Sequence, residues 1–186
     1  MSDVPESKGD ASAEIPGNPD KPSRKRWKKW LIEAVIVIVV IAGIRLWQQR
    51  NMVQGPAPAL QGVALSGSGY QLPAHPEKPV LVHFWATWCP VCRAEQGSID
   101  AISSDHPVIT IASWSKDEDE VRKFVAEQHL KFPVIYDADG RIAKRWGVYA
   151  VPASYIVGQD GNISFRETGY TSEWGLRLRL WLAGKL

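Results

Sequence analysis

Cys89 and Cys92 stand two residues apart in HFWATWCPVCR and are the only cysteines of the 186-residue chain. Four chemistries are open to such a pair: a disulfide staple, half of a zinc site, a Cu(I) site, or a dithiol–disulfide redox couple. As a staple it closes only four residues, worth about 2 kcal/mol of loop entropy before strain is subtracted. Structural zinc takes four protein ligands, and the chain offers no second Cys-x-x-Cys and only His75, His83, His106 and His129, without paired spacing. No zinc site is therefore expected. Two thiolates alone suffice for Cu(I), which accepts low coordination by soft ligands, so that reading stays open, although neither Met1 nor Met52 lies near the pair.

Redox exchange explains the surroundings best. The run PVLVHFW at 79–85 is apolar, β-branched and aromatic, the pattern of a central strand. A turn and a helix must follow it. Cys89 then falls at the helix N-cap and Pro90 at the first helical position, where a missing N–H costs nothing. At an exposed helix start Cys89 faces unpaired backbone N–H groups and the positive end of the helix dipole, which stabilise a thiolate. Cys92, one turn further in, is placed to resolve a mixed disulfide from the buried side.

The rest of the chain after this stretch alternates strand and helix signals. PVITIAS at 107–113 is a second strand candidate, and Ser115-Lys116-Asp117-Glu118 looks like a capping box that opens a helix with Val121, Phe124, Val125 and Gln128 on related faces. The acidic run 117–120 suits a helix N-terminus and lacks the loop spacing of a calcium site. Phe132 to Tyr136 reads as a short strand, and Asp139-Gly140 as a turn before the helical stretch IAKRWG. Two strands, 153–157 and 163–168, flank a hairpin turn at 158–162. Residues 172–184 close the chain as an amphipathic helix, with Leu176, Leu180 and Trp181 apolar and Arg177 and Arg179 solvated. Strands separated by helices imply an α/β fold, a central mixed sheet flanked by helices.

Charge is distributed unevenly. From residue 51 on, 13 Lys and Arg stand against 14 Asp and Glu, so a basic nucleic-acid-binding surface is not indicated. The positive charge is concentrated instead at Arg24, Lys25, Arg26, Lys28 and Lys29, just before LIEAVIVIVVIAGIRLW, a run bracketed by Trp30 and Trp47. Leu31 to Trp47 would span about 25 Å as a helix, near the lower limit for a hydrocarbon core. Glu33 and Arg45 sit close enough to its ends to reach the interfaces. Residues 27–48 are thus expected to form a single transmembrane helix, and the positive-inside rule puts 1–26 in the cytoplasm as a disordered tail and everything after the anchor outside it. Ala57-Pro58-Ala59 is a poor cleavage site, since it lies beyond Arg45 and Arg50 and carries a proline, so the anchor is expected to stay. Residues 49–62 read as a linker and 63–186 as the folded domain.

With these residues in view, WATWCPVC after an apolar strand, together with a downstream Val-Pro before another strand, resembles the thioredoxin superfamily. The anchor and CPVCRAE narrow the resemblance to the membrane-tethered, exported branch with TlpA, ResA and the cytochrome c maturation reductase DsbE, and within it the chain looks most like the ScsD-type oxidoreductases associated with copper tolerance. The resemblance covers about residues 56–186 with the anchor. It implies a thioredoxin-like fold and dithiol–disulfide exchange through Cys89 and Cys92, with Trp88 before the pair and Pro90 within it. It also implies that Pro152 is a cis-proline beside the cysteines, that Val151 pairs its backbone with an extended substrate, and that Trp114 to Tyr149 carries the extra strand and helix of this branch. No bound cofactor is implied; the partners would be protein thiols and disulfides, with a membrane protein as electron donor or acceptor in a bacterial inner membrane and periplasm. Three departures and one match stand out. His83 replaces the buried acid found six residues before the first cysteine in thioredoxin, where it would either shuttle protons or serve as a core residue. Gly97 replaces a helix-kinking proline. Glu95 matches a common family residue, with a functional role or only a place on the helix surface. Ala150-Val151-Pro152-Ala153 replaces the Gly-Ala-Pro-Glu of the cytochrome c maturation reductases.

Overall fold

The computed structural model describes residues 24–50 and 52–186. A first helix, α1 (Arg24–Gln49), begins inside the stretch expected to be a disordered tail; residues 1–23, the rest of that tail, lie outside the described residues. Among the described residues no helix is long and apolar enough to cross a membrane. Side chains at 28, 42 and 45–48, part of the expected anchor, lie outside the described set.

The remainder forms eight strands and four helices: β1 (Gly55–Pro56), β2 (Gln61–Val63), β3 (Gly69–Gln71), β4 (Val80–Trp85), α2 (Pro90–Ser103), β5 (Val108–Ser113), α3 (Glu118–Glu127), β6 (Val134–Asp137), α4 (Arg141–Arg145), β7 (Ala153–Val157), β8 (Asn162–Thr168) and α5 (Glu173–Ala183). Six strands make one mixed sheet in the order β1-β8-β7-β4-β5-β6, while β2 and β3 pair separately. β4, β5 and β6 run parallel; β7, β8 and β1 are antiparallel to their neighbours. The parallel pairs need crossovers, which α2 and α3 supply. All six residues of β4 are buried, because it lies mid-sheet with helices on both faces.

Alternation along β4 divides the core. Leu81 and Trp85 face a layer with Ile99 and Ile102 of α2, Val121 of α3, and Leu176, Leu180 and Ala183 of α5. Val80, Val82 and Phe84 face Ile142 and Ala143 of α4, Trp146, Tyr155 and Leu60. Burying a Leu, Ile or Phe side chain contributes about 1.5–3 kcal/mol, so both faces hold the sheet in place.

Three expectations are corrected here. Residues 52–62, expected as linker, pack on the domain: Met52 and Leu60 are buried, Val53 N–H donates to the Trp146 carbonyl, and β1 pairs with β8. The cap of α3 is Asp117, whose Oδ1 accepts from Glu120 N–H at 2.7 Å, because Ser115 is turned inward to serve another bond. On α5 the faces are shifted. Trp181 is exposed, whereas Arg177 bridges Glu173 and Asp105 and Arg179 bridges Glu167. The inward positions at helical spacing are Leu176, Leu180 and Ala183, and Trp181 falls outside that stripe.

Candidate active site

β4 ends at Trp85, and the chain turns through Ala86, Thr87 and Trp88 into α2. Cys89 is the N-cap of that helix, with extended backbone (φ −85°, ψ 111°), and Pro90 opens the first turn. The Cys92 N–H donates to Cys89 Sγ at 3.1 Å, so one of the unpaired donors of the helix start is spent on sulfur. The two cysteines are joined as a disulfide. On reduction, that N–H and the helix dipole favour a thiolate at Cys89. α2 runs unbroken through Gly97.

The exposed Cys89 foreseen from the sequence is corrected: it keeps only 3% of its surface accessible, against none for Cys92. The cause lies opposite, where Cys89 Sγ is 3.7 Å from the Val151 carbonyl oxygen. The oxidised sulfur has no proton to donate, so this is a packing contact. The Val151–Pro152 peptide is cis, and Gly169 N–H donates to the Pro152 carbonyl at 2.8 Å, tying this loop to the end of β8. Cys89, Cys92, Val151 and Pro152 are thus brought together from positions some sixty residues apart.

Trp88 is 58% exposed, yet its Nε1–H donates to the Trp114 carbonyl at 2.8 Å. Trp114 has φ +56°, uncommon for a bulky residue and a mark of local strain. Its neighbour Ser115 accepts from Thr87 N–H at 3.2 Å, and Thr87 Oγ1 donates to Glu120 Oε1 at 2.6 Å. From the other side Arg93 Nε and Nη2 both donate to the Thr87 carbonyl, with the guanidinium 5.5 Å from the Phe124 ring centroid. The two residues before the first cysteine are therefore held on every polar atom of Thr87. Sequence reasoning missed Thr87, Arg93, Trp114, Ser115 and Glu120; Arg93 and Glu120 sit on predicted helices, but a left-handed Trp114 leaves no sequence signal.

His83 lies beneath this turn, fully buried, with Nδ1 2.9 Å from Ser154 Oγ. Its Nε2 has no partner among the described residues. Burial pushes its pKa down to about 3, so the imidazole is neutral at physiological pH. Glu95, one turn past Cys92, is also fully buried, contrary to a place on the helix surface. Its Oε1 accepts from Thr171 N–H at 2.7 Å, and Oε2 has no partner among the described residues. Burial raises its pKa to about 7, against a smaller lowering by the Thr171 bond. Among the described residues no group of three or more His, Cys, Asp and Glu is placed to hold a metal ion.

The mixed sheet between helical layers and the cysteine pair agree with the comparisons with known proteins. The Redoxin family model matches residues 52–175. The chain belongs to the redoxin family. Its match begins at Met52, where packing on the domain also begins. The chain is 28% identical over 150 residues to a thioredoxin-like protein of Haemophilus influenzae, covering 80% of this chain and 89% of that one. It is 26% identical over 159 residues to the thiol:disulfide interchange protein DsbE of Escherichia coli K12, covering 76% and 86%. Among solved structures, a secreted Mycobacterium tuberculosis disulfide oxidoreductase homologous to DsbE superposes with a TM-score of 0.58 at 28% identity, covering 66% of this chain and 95% of that one. This redoxin stands in the thioredoxin superfamily, in the branch of TlpA, ResA and DsbE, and is a thiol-disulfide oxidoreductase.

Proposed function

We propose that this redoxin exchanges dithiol for disulfide with exported proteins, with Cys89 as the attacking sulfur and Cys92 as the resolving one. The observation that carries this reading is the placement of Cys89 Sγ between the Cys92 N–H at 3.1 Å and the Val151 carbonyl at 3.7 Å. The first contact supports the thiolate; the second sets a backbone acceptor beside the sulfur, where an extended partner strand can pair with Val151 and present its own sulfur. In the reducing direction the Cys89 thiolate attacks a partner disulfide and releases one partner thiolate. Cys92 then attacks Cys89, the second partner sulfur leaves as a thiolate, and two electrons have passed from the dithiol to the partner, leaving the internal disulfide. The protein then needs an electron donor. Running the same steps backwards oxidises a partner dithiol.

In this reading Trp88, pinned to Trp114, shields the sulfur, Pro90 starts the helix, and Pro152 holds Val151 in place. Glu95 has a carboxyl that changes charge near neutrality and takes the proton of Cys92 as the resolving thiol ionises. His83, neutral and bonded to Ser154, serves packing instead. Residues 27–48 are read as the anchor, 1–26 as the cytoplasmic tail, and the domain as periplasmic, with the electron partner in the same membrane. The likeness to E. coli DsbE favours a reductase of the cytochrome c maturation type over the copper-linked ScsD-type reading and over a tethered Cu(I) binder, although Ala150 and Ala153 replace the expected flanking Gly and Glu.

Changing Cys92 to Ser leaves Cys89 able to attack and nothing to resolve, so disulfide-linked adducts through Cys89 should accumulate and disappear in Cys89→Ser/Cys92→Ser. Absence of adducts under both oxidising and reducing conditions, with tight Cu(I) binding by the reduced wild type, would reverse the assignment in favour of metal binding.

A further inference from the structure

α5 packs its inner face through Leu176, Leu180 and Ala183, yet its outer face is also apolar. Trp174 is 83% exposed, Trp181 59%, Leu178 57% and Leu182 37%. These four positions are spaced i, i+4, i+7 and i+8, one continuous stripe on a helix. From the size of these side chains the stripe presents roughly 500 Å² of apolar surface, at the upper end of what a monomer usually shows.

The charged residues beside the stripe are turned away from it. Arg177 Nε and Nη1 lie 2.7 Å from Glu173 and Asp105 respectively, and Arg179 Nη2 lies 2.8 Å from Glu167. The flanks are therefore neutralised within the domain. A helix that lies on a bilayer carries free Lys and Arg to meet headgroups; here both arginines of the helix are spent on ion pairs within the domain. A neutral-flanked stripe of two Trp and two Leu has the composition of a protein–protein interface core.

We infer that α5 is the interface of a homodimer, occupied by the same helix of a second copy. The stripe is self-complementary about Leu178. In an antiparallel pair Trp174 of one copy meets Leu182 of the other, and Trp181 meets Gly175, where the Arg179 guanidinium, donating to the Gly175 carbonyl at 2.8 Å, offers the indole a cation to stack on. Antiparallel helices also set opposite dipole ends together. Two stripes together bury roughly 1,000 Å², the lower bound of a specific interface. α5 follows α2 from Glu95 to Asp105 and ends beside Pro79, at the start of β4, so the stripe runs away from the cysteines, which lie beyond the other end of that strand.

The test is sedimentation equilibrium of the full chain in density-matched mild detergent, up to about 100 µM. The wild type should be a dimer, and Trp174→Glu/Leu178→Glu/Trp181→Glu should raise the dissociation constant by at least about 100-fold, since a buried Trp of an interface centre is commonly worth about 30-fold or more. Unchanged disulfide exchange in the variant reports an intact fold and separates this outcome from failure of the redox reading. Should the triple variant misfold, Leu178→Gln alone should still weaken the dimer about tenfold or more. A wild type that stays monomeric throughout overturns the proposal, as does a dimer that survives these substitutions. Indole fluorescence of α5 quenched by brominated lipid in a monomeric wild type overturns it in favour of a membrane surface.

Discussion

Glu95 and His83 set opposite pH dependences against each other, and the two can be separated. Glu95 is fully buried with a pKa near 7 instead of 4.5. The unfolded chain gives up this proton above about 4.5 while the folded chain keeps it to about 7, so stability falls as pH rises through that window. At about 1.4 kcal/mol per pH unit the loss is about 3 kcal/mol. His83 works the other way: with its pKa held near 3 instead of 6.5, the folded protein refuses a proton that the unfolded chain takes, so stability falls as pH drops below about 6.5. Between about pH 4.5 and 6.5 the two nearly cancel in the wild type, hiding both. Glu95→Gln retains the volume and an acceptor for Thr171 N–H but cannot ionise. The stability of Glu95→Gln minus that of the wild type should therefore rise by about 3 kcal/mol from pH 4.5 to 7.5. Any constant cost of the new amide shifts this difference curve without changing its slope. The measurement is guanidinium unfolding of the oxidised protein at half-unit pH steps, followed by tryptophan fluorescence. A flat difference curve would refute the reasoning that burial alone holds this proton.

Three further outcomes follow from the same geometry. In His83→Gln the loss below pH 6.5 should vanish, so the variant gains on the wild type by about 3 kcal/mol between pH 6.5 and 4.5, read by the same unfolding series. Gly140 has φ +67°, and a Cβ there would lie 2.0 Å from Trp114 Nε1; Gly140→Ala should cost about 3 kcal/mol or more and, by displacing Trp114, raise the reactivity of Cys89 toward a thiol reagent. Glu120→Gln should weaken the hold on Thr87 Oγ1 by about 1 kcal/mol, seen as a small drop in the unfolding midpoint with the disulfide intact.

The parts of the fold legible in the sequence were those written in local pattern. PVLVHFW and PVITIAS announced β4 and β5 because buried parallel strands need uninterrupted apolar residues, and the turn at 158–162 announced the β7–β8 hairpin. The cysteine spacing and Pro90 located the helix start for the same local reason. What stayed hidden depends on contacts distant in sequence. Ser115 reads as a cap, but Thr87, 28 residues away, claims its hydroxyl. Trp181 reads as core because it is apolar, yet the helix phase that suits Leu176 and Leu180 turns it outward. Residues 52–62 read as linker because Pro and Gly are abundant there, and only strands formed a hundred residues later give them something to pack on.

That last segment has a consequence for how the domain is assembled. One strap, residues 55–65, lies along both edges of the sheet formed by the other five strands: Gly55 and Pro56 pair with Ile163 and Asn162 on β8, while Ala64 bridges Ile135 and Leu65 N–H donates to the Val134 carbonyl on β6. Open edges invite pairing with other chains. The strap leaves the ribosome before either of its partners, so it waits through synthesis of the whole sheet and docks among the last contacts, the highest in sequence separation and the slowest to close. Until then both edges are open, and shortening the strap should appear first as aggregation during folding, before any change in the chemistry of the finished protein.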